Sequence, residues 1–178
     1  NVLLSEDVLS SINACKTLGA KIDFNDNNLI VHGTGGVLHN SSPDFIDLGN
    51  SGTSLRLLTS VSALSNNSVV LSGDSSLQTR PMGLLLNISS QFISSILISA
   101  PFSSNGVNLN VLKDFVSKPY VDMTIDIMRK FNVNVKEIST GLNEDIDKQY
   151  QLNPSEYVSC DYTVEGDFSS SSYLFAAC

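Results

Sequence analysis

Residues 72–86 (SGDSSLQTRPMGLLL) recur in altered form as residues 113–128 (KDFVSKPYVDMTIDIM), and this repeat constrains the fold more than any other feature of the chain. In both copies an apolar, strand-like run ends in small and polar residues. A basic residue followed by proline, Arg80-Pro81 and Lys118-Pro119, then opens a helical pattern. The copies stand 38 residues apart, and the same offset carries Ser51-Gly52 onto Ser89-Ser90, each pair opening an apolar stretch. A period of this size means one supersecondary unit used several times, its apolar face covered by its neighbours.

The rest of the pattern fills in the unit. Residues 5–18 read as a helix: Val8, Leu9, Ile12, Cys15 and Leu18 recur at helical spacing, Ser5, Glu6 and Asp7 make an acidic first turn, and Gly19 suits the C-terminal cap. Strands are predicted at 21–24 and 28–32 around the turn residues Asn25-Asp26-Asn27, and Gly33-Thr34-Gly35-Gly36 reads as a turn. A head helix over 51–64 leads to a strand at 68–71, and a second over 89–100 leads to a strand at 107–111. The helix opened by Lys118-Pro119 precedes a strand within 131–138 (FNVNVKEI) and another near 149–152. A strand at 162–164 and a third head helix over 168–178 follow.

The unit is thus head helix, strand, tail helix, strand, strand. Gly52 to Ser90 spans 38 residues, but Ser90 to Ser169 spans 79. The first copy stops at Leu86 and runs straight into Asn87, so a helix and two strands, roughly 40 residues by comparison with the second copy, are expected to be missing at the 86/87 seam. The chain begins with Asn1 and stops at Cys178 inside an apolar run, so it is expected to be a piece of a longer protein.

A net charge of −8 argues against nucleic acid or an anionic membrane as partner. Small anionic ligands remain open, because local donors outweigh a field screened within about 8–10 Å. No run approaches the length of a membrane span, and residues 1–9 carry no basic leader. Cys15, Cys160 and Cys178 lack metal-ligand spacing and sit in apolar patterns, which predicts buried thiols in a reducing, cytoplasmic setting.

Three helix starts are built from glycine and hydroxyl residues: residues 49–53 (GNSGT), Ser89-Ser90-Gln91 and Ser169-Ser170-Ser171. Free N–H groups of a first turn together with Ser and Thr hydroxyls suit an anion, although the same residues also serve as plain N-caps. Arg80 and Lys118 stand where the helix dipole disfavours a cation, which points to phosphate or carboxylate binding. Ser117 and Tyr120 flank Lys118 and could add hydroxyl donors; Tyr120 fits a core position equally. Asp161, Glu165 and Asp167 are acid/base candidates by type alone.

Five stretches, GNSGTSLRLL (49–58), GDSSLQTRPMG (73–83), ISSQFISSILISAP (88–101), VSKPYVDMTIDIM (116–128) and VEGDFSSSSYLFAA (164–177), resemble the EPSP synthase family in the family's order. The resemblance implies a mixed α and β fold of repeated βαβαββ units, with helices inside sheets in an inside-out α/β barrel, the enolpyruvyl transferase fold. Residues 1–164 would be most of one of the family's two substrate-binding domains, incomplete at the 86/87 seam. Residues 165–178 would be the passage toward the other. The implied reaction moves the enolpyruvyl group of phosphoenolpyruvate to the 5-hydroxyl of shikimate 3-phosphate and releases phosphate, with no cofactor and no metal.

By motif position, Asn50, Gly52, Arg80 and Gln91 would bind phosphoenolpyruvate. Ser89, Ser90, Gln91 and Ser117 would hold shikimate 3-phosphate, with Tyr120 packed on its ring; Ser169-Ser170-Ser171 drop out as a site. The family's early Lys-Ser…Arg motif and its main acid/base carboxylates have no counterpart in the chain, so it is expected to be inactive alone and monomeric at full length. Two alternatives stand beside this reading: a non-catalytic anion-binding or degenerate repeat module, and a UDP-N-acetylglucosamine enolpyruvyl transferase, whose family lacks the Lys-Pro-Tyr block.

Overall fold

Ser5 caps the first helix as its sequence predicts: its side chain accepts from the Val8 N–H at 3.4 Å, and α1 runs Glu6–Thr17 with Glu6 and Asp7 complementing the dipole. The helix ends where Gly19 turns to φ 106°, letting the Ala20 N–H reach back to the Cys15 carbonyl at 3.0 Å. The computed structural model describes residues 2–25, 28–38, 44–79, 90–112, 117–138 and 146–166. The 86/87 seam and the third head helix lie outside the described residues.

β1 (Lys21–Asn25) and β2 (Asn28–His32) form an antiparallel hairpin in the register Lys21↔His32 to Asn25↔Asn28. β3 (Asp44–Asp47) pairs in parallel with β4 (Val69–Ser72), and α2 (Gly52–Ser62) connects them as a βαβ crossover. A short α3 (Ser75–Gln78) follows, capped by the Asp74 side chain on the Leu77 N–H at 2.8 Å. Gly73 permits this turn, since a Cβ there would collide with the Gly49 carbonyl. α4 (Ser90–Ser99) continues into a 3-10 turn (Ala100–Phe102), then β5 (Val107–Leu112) and α5 (Lys118–Lys130). β6 (Lys136–Ile138) and β7 (Ile146–Leu152) complete a three-stranded antiparallel sheet in the order β5-β7-β6.

Two apolar clusters hold these layers. One joins α1, β3, α2 and α3 through Ala14, Leu18, Ile46, Leu48, Leu55, Leu58 and Leu77. The other joins α4, β5, α5 and β7 through residues that include Ile93, Leu97, Val111, Val121, Ile125 and Tyr150, all at most 2% exposed. α4 (SQFISSILIS) carries no charge and buries seven of its ten residues, so it is covered on most sides, the position of a helix inside sheets.

Three expectations need correction. The strand predicted within 131–138 begins only at Lys136, because Asn132 at φ 66° ends α5 and the Val133 N–H turns back to the Met128 carbonyl at 2.9 Å. Val133 and Val135 are buried in the core, but outside any ladder. Residues 162–164 form no strand; Tyr162 and Val164 are exposed, and the Tyr162 ring rests 6.3 Å from that of Phe131. Cys160 is exposed, not buried, whereas Cys15 is half-buried with its thiol pKa raised by burial.

Candidate functional site: a cavity at three helix ends

α2, α4 and α5 approach one another through hydroxyls. Ser95 donates to the Leu57 carbonyl at 2.8 Å and accepts from the Ser60 N–H at 3.2 Å, joining α4 to α2. Ser94 and Thr124 share a hydrogen bond of 2.7 Å between α4 and α5. Short side chains that bond to a neighbour's backbone let helices come close without leaving polar atoms orphaned.

Where the N-terminal turns of these helices meet, a cavity of about 620 Å³ opens. α4 contributes Ser90, Gln91 and Ser94; α5 and its cap contribute Ser117, Tyr120, Met123 and Thr124; α2 contributes Thr53, Arg56 and Leu57. Of these only Arg56 carries charge, so the lining is electropositive and rich in hydroxyls. Arg56 Nη1 donates to Gln91 Oε1 at 3.0 Å, its guanidinium lies 5.9 Å over the Phe92 ring, and its buried Nε has no partner among the described residues. Gln91 Nε2 in turn donates to Thr53 Oγ1 at 3.1 Å, so the amide is held from two sides. Such a fork beside a first turn of N–H groups is suited to a phosphate or carboxylate.

Ser117 is the N-cap of α5 but sits in the left-handed region (φ 70°, ψ 38°) and its hydroxyl caps no N–H. The backbone strain and the uncommitted hydroxyl both fall on a residue that lines the cavity. Tyr120 is 55% exposed, which rules out the core position its pattern also allowed.

The cavity therefore brings together Thr53, Ser90, Gln91, Ser117 and Tyr120 of the residues singled out by sequence. Asn50 and Gly52 do not line it. Asn50 Nδ2 donates to the Asp74 carboxylate at 2.8 Å, and the Gly52 N–H turns to the Asn50 carbonyl at 3.0 Å. Ser51, the N-cap of α2, donates its hydroxyl to the Asp7 carboxylate of α1. Arg80 and Ser89 lie outside the described residues, as do Ser169-Ser170-Ser171. Arg56 was missed; the available signal was a single cation in α2, one turn after Gly52.

The family model of EPSP synthase (3-phosphoshikimate 1-carboxyvinyltransferase) matches residues 1–88 and residues 83–178. The chain belongs to the EPSP synthase family. A relative named 3-phosphoshikimate 1-carboxyvinyltransferase, from Methanobrevibacter smithii, is 48% identical over 221 residues, covering 99% of this chain and 50% of that protein. One of the same name from Methanothermobacter thermautotrophicus is 44% identical over 211 residues, covering 98% and 48%. The chain thus spans about half the length of the curated relatives it matches. An EPSP synthase structure from Acinetobacter baumannii superposes with a TM-score of 0.76 at 22% identity, over 97% of this chain and 45% of that one. The fold is thereby that of the enolpyruvyl transferases, mixed α and β, with half of the neighbour covered.

Proposed function

We propose that this chain carries the shikimate 3-phosphate side of an enzyme that moves the enolpyruvyl group of phosphoenolpyruvate to the 5-hydroxyl of shikimate 3-phosphate, with release of phosphate. The observation that carries the reading is the convergence of Ser90, Gln91, Ser117 and Tyr120, from two helices, on one electropositive cavity. The α4 first turn with Ser89, Ser90 and Ser117 would donate to the 3-phosphate, and the exposed Tyr120 ring would pack on the shikimate ring. Gln91, already fixed by Arg56 and Thr53, would reach both substrates. Phosphoenolpyruvate would lie toward Asn50, Gly52 and Arg80, where it must compete with Asp7 and Asp74. Aligned donors that meet charge as it develops supply the electrostatic part of such catalysis. The acid/base groups would come from the other domain. The same reading makes the full-length enzyme cytoplasmic and monomeric.

Calorimetric titration with shikimate 3-phosphate tests this directly. Binding is expected, weakened about tenfold or more by Ser90→Ala, as for loss of one hydrogen bond to a charged group. An unmutated, folded chain that binds none would favour a non-catalytic scaffold instead. The chain alone is expected to release no phosphate from the two substrates together.

A further inference from the structure

The two repeat units are incomplete in complementary ways. The first has its leading strand and head strand, β3 and β4, and no hairpin beside them among the described residues. The second has its head strand and the hairpin, β5-β7-β6, and no leading strand among the described residues. The 38-residue offset lays β4 on β5, with Val69 on Val107 and Leu71 on Leu109. In the second unit Val107 and Leu109 face Leu152 and Tyr150 of β7, both nearly fully buried. Val69 and Leu71 face instead a cavity of about 640 Å³ bounded by Leu55, Thr59, Ser62 and Leu77.

Thr59 is exposed, while its repeat counterpart Leu97 is fully buried. Ser62 is buried at the same cavity, and its hydroxyl has no hydrogen-bond partner among the described residues. A buried hydroxyl without a partner needs an explanation, and here it lies beside an apolar strand face that lines an open cavity.

The family model matches the chain twice, and the matches overlap at residues 83–88. The match to the Methanobrevibacter smithii relative runs over 221 residues, so at least 43 of its positions face no residue of this 178-residue chain. That agrees with the deficit of 41 residues between the repeat distances 79 and 38. We infer that the groove between β4, α2 and α3 is the seat of a tail half-unit (helix, strand, strand) that the relatives carry at this seam. It accepts such a segment in trans, with one strand antiparallel along β4 and large apolar side chains opposite Val69 and Leu71. Backbone pairing along a free edge supplies affinity and the alternate side chains supply selectivity.

The probe is a synthetic peptide of about 40 residues from the Methanobrevibacter smithii relative, covering the positions that face the seam, with a scrambled peptide as control. Hydrogen exchange is followed on the whole chain. The relative's segment is expected to slow exchange across β4 (Val69–Ser72) and the end of α2 at least tenfold, and the scrambled one to leave it unchanged. A Leu71→Asp variant, whose change sits on the groove side of β4 at the margin of the α1–α2 cluster and away from the α4–α5 cluster, should lose the effect while keeping α4 and α5 protected. Unchanged β4 exchange overturns the inference, as does equal protection by the scrambled peptide. It is also overturned if β4 is protected without peptide in a concentration-dependent way, which would make a second copy of this chain the occupant. None of these readouts depends on shikimate 3-phosphate, so a failed ligand titration leaves the inference standing.

Discussion

Ser117→Gly is expected to stabilise the fold and weaken the site at once. Ser117 holds a left-handed conformation, which costs a residue with a Cβ about 1–2 kcal/mol. Glycine removes that cost and gives back about 0.5–1 kcal/mol through the greater freedom of its unfolded chain. No capping bond is lost, because the Ser117 hydroxyl caps no N–H of α5. The net expectation is a gain of about 0.5 kcal/mol, or 1–2 °C in melting temperature for a chain of this size.

Affinity should move the other way. A hydroxyl that donates to a phosphate is worth about 1.5–3 kcal/mol, so loss of Ser117 should weaken shikimate 3-phosphate binding roughly 10- to 150-fold. Ser117→Ala separates the two effects: it keeps the strain, so stability should stay within about 0.5 kcal/mol, while affinity falls as far as in the glycine variant. Differential scanning calorimetry and isothermal titration of the same samples read both quantities. The reasoning is refuted if Ser117→Gly melts below the parent, or if either variant binds shikimate 3-phosphate as tightly as the parent.

Two further outcomes follow from the packing. Ser95→Ala removes both hydrogen bonds that the Ser95 hydroxyl makes to α2, each worth about 0.5–1.5 kcal/mol, and should cost about 1–3 kcal/mol in urea unfolding. Tyr157, whose hydroxyl donates to the Ile98 carbonyl at 2.9 Å, has its pKa raised by burial from 10.0 to about 12. The folded state holds this proton more tightly than the unfolded chain, so the stabilisation is complete below pH 10 and is lost as pH rises toward 12. The slope should be at most about 1.4 kcal/mol per pH unit, and Tyr157→Phe should abolish it in unfolding measured against pH.

The repeat made most elements legible, because the same apolar spacing is written more than once. β3 escaped because Asp44–Asp47 (DFID) places only Ile46 in the core and leaves Phe45 64% exposed, so its alternation is too short to read. The overlong strand at 131–138 had the right apolar residues, but the turn at Asn132 leaves Val133 and Val135 in the core ahead of the ladder. At the site, serines at helix starts were visible as a recurring pattern. Arg56 was not, since one cation in an amphipathic helix reads as a surface charge until α4 packs beside it and Gln91 claims it.

The same repeat explains why equivalent helix starts behave differently. Ser51 and Gly52 of α2 correspond to Ser89 and Ser90 of α4. A first turn with unsatisfied N–H groups attracts negative charge wherever it occurs. At α2 the chain answers that demand through Ser51, whose hydroxyl accepts from the Ser54 N–H and donates to the Asp7 carboxylate, while Asp74 accepts from the Asn50 side chain. At α4 the described lining holds no carboxylate, only hydroxyls, the Gln91 amide and Arg56. One scaffold copy is thus closed by its own serine cap with a carboxylate behind it, while the other, among the described residues, is open to an external anion. A ligand that enters beside α2 must displace carboxylates already bonded there, whereas shikimate 3-phosphate at α4 would meet donors without that competition. The asymmetry orders the two proposed substrates: shikimate 3-phosphate should bind to this chain first and more tightly, and phosphoenolpyruvate only with help from groups that α2 does not supply.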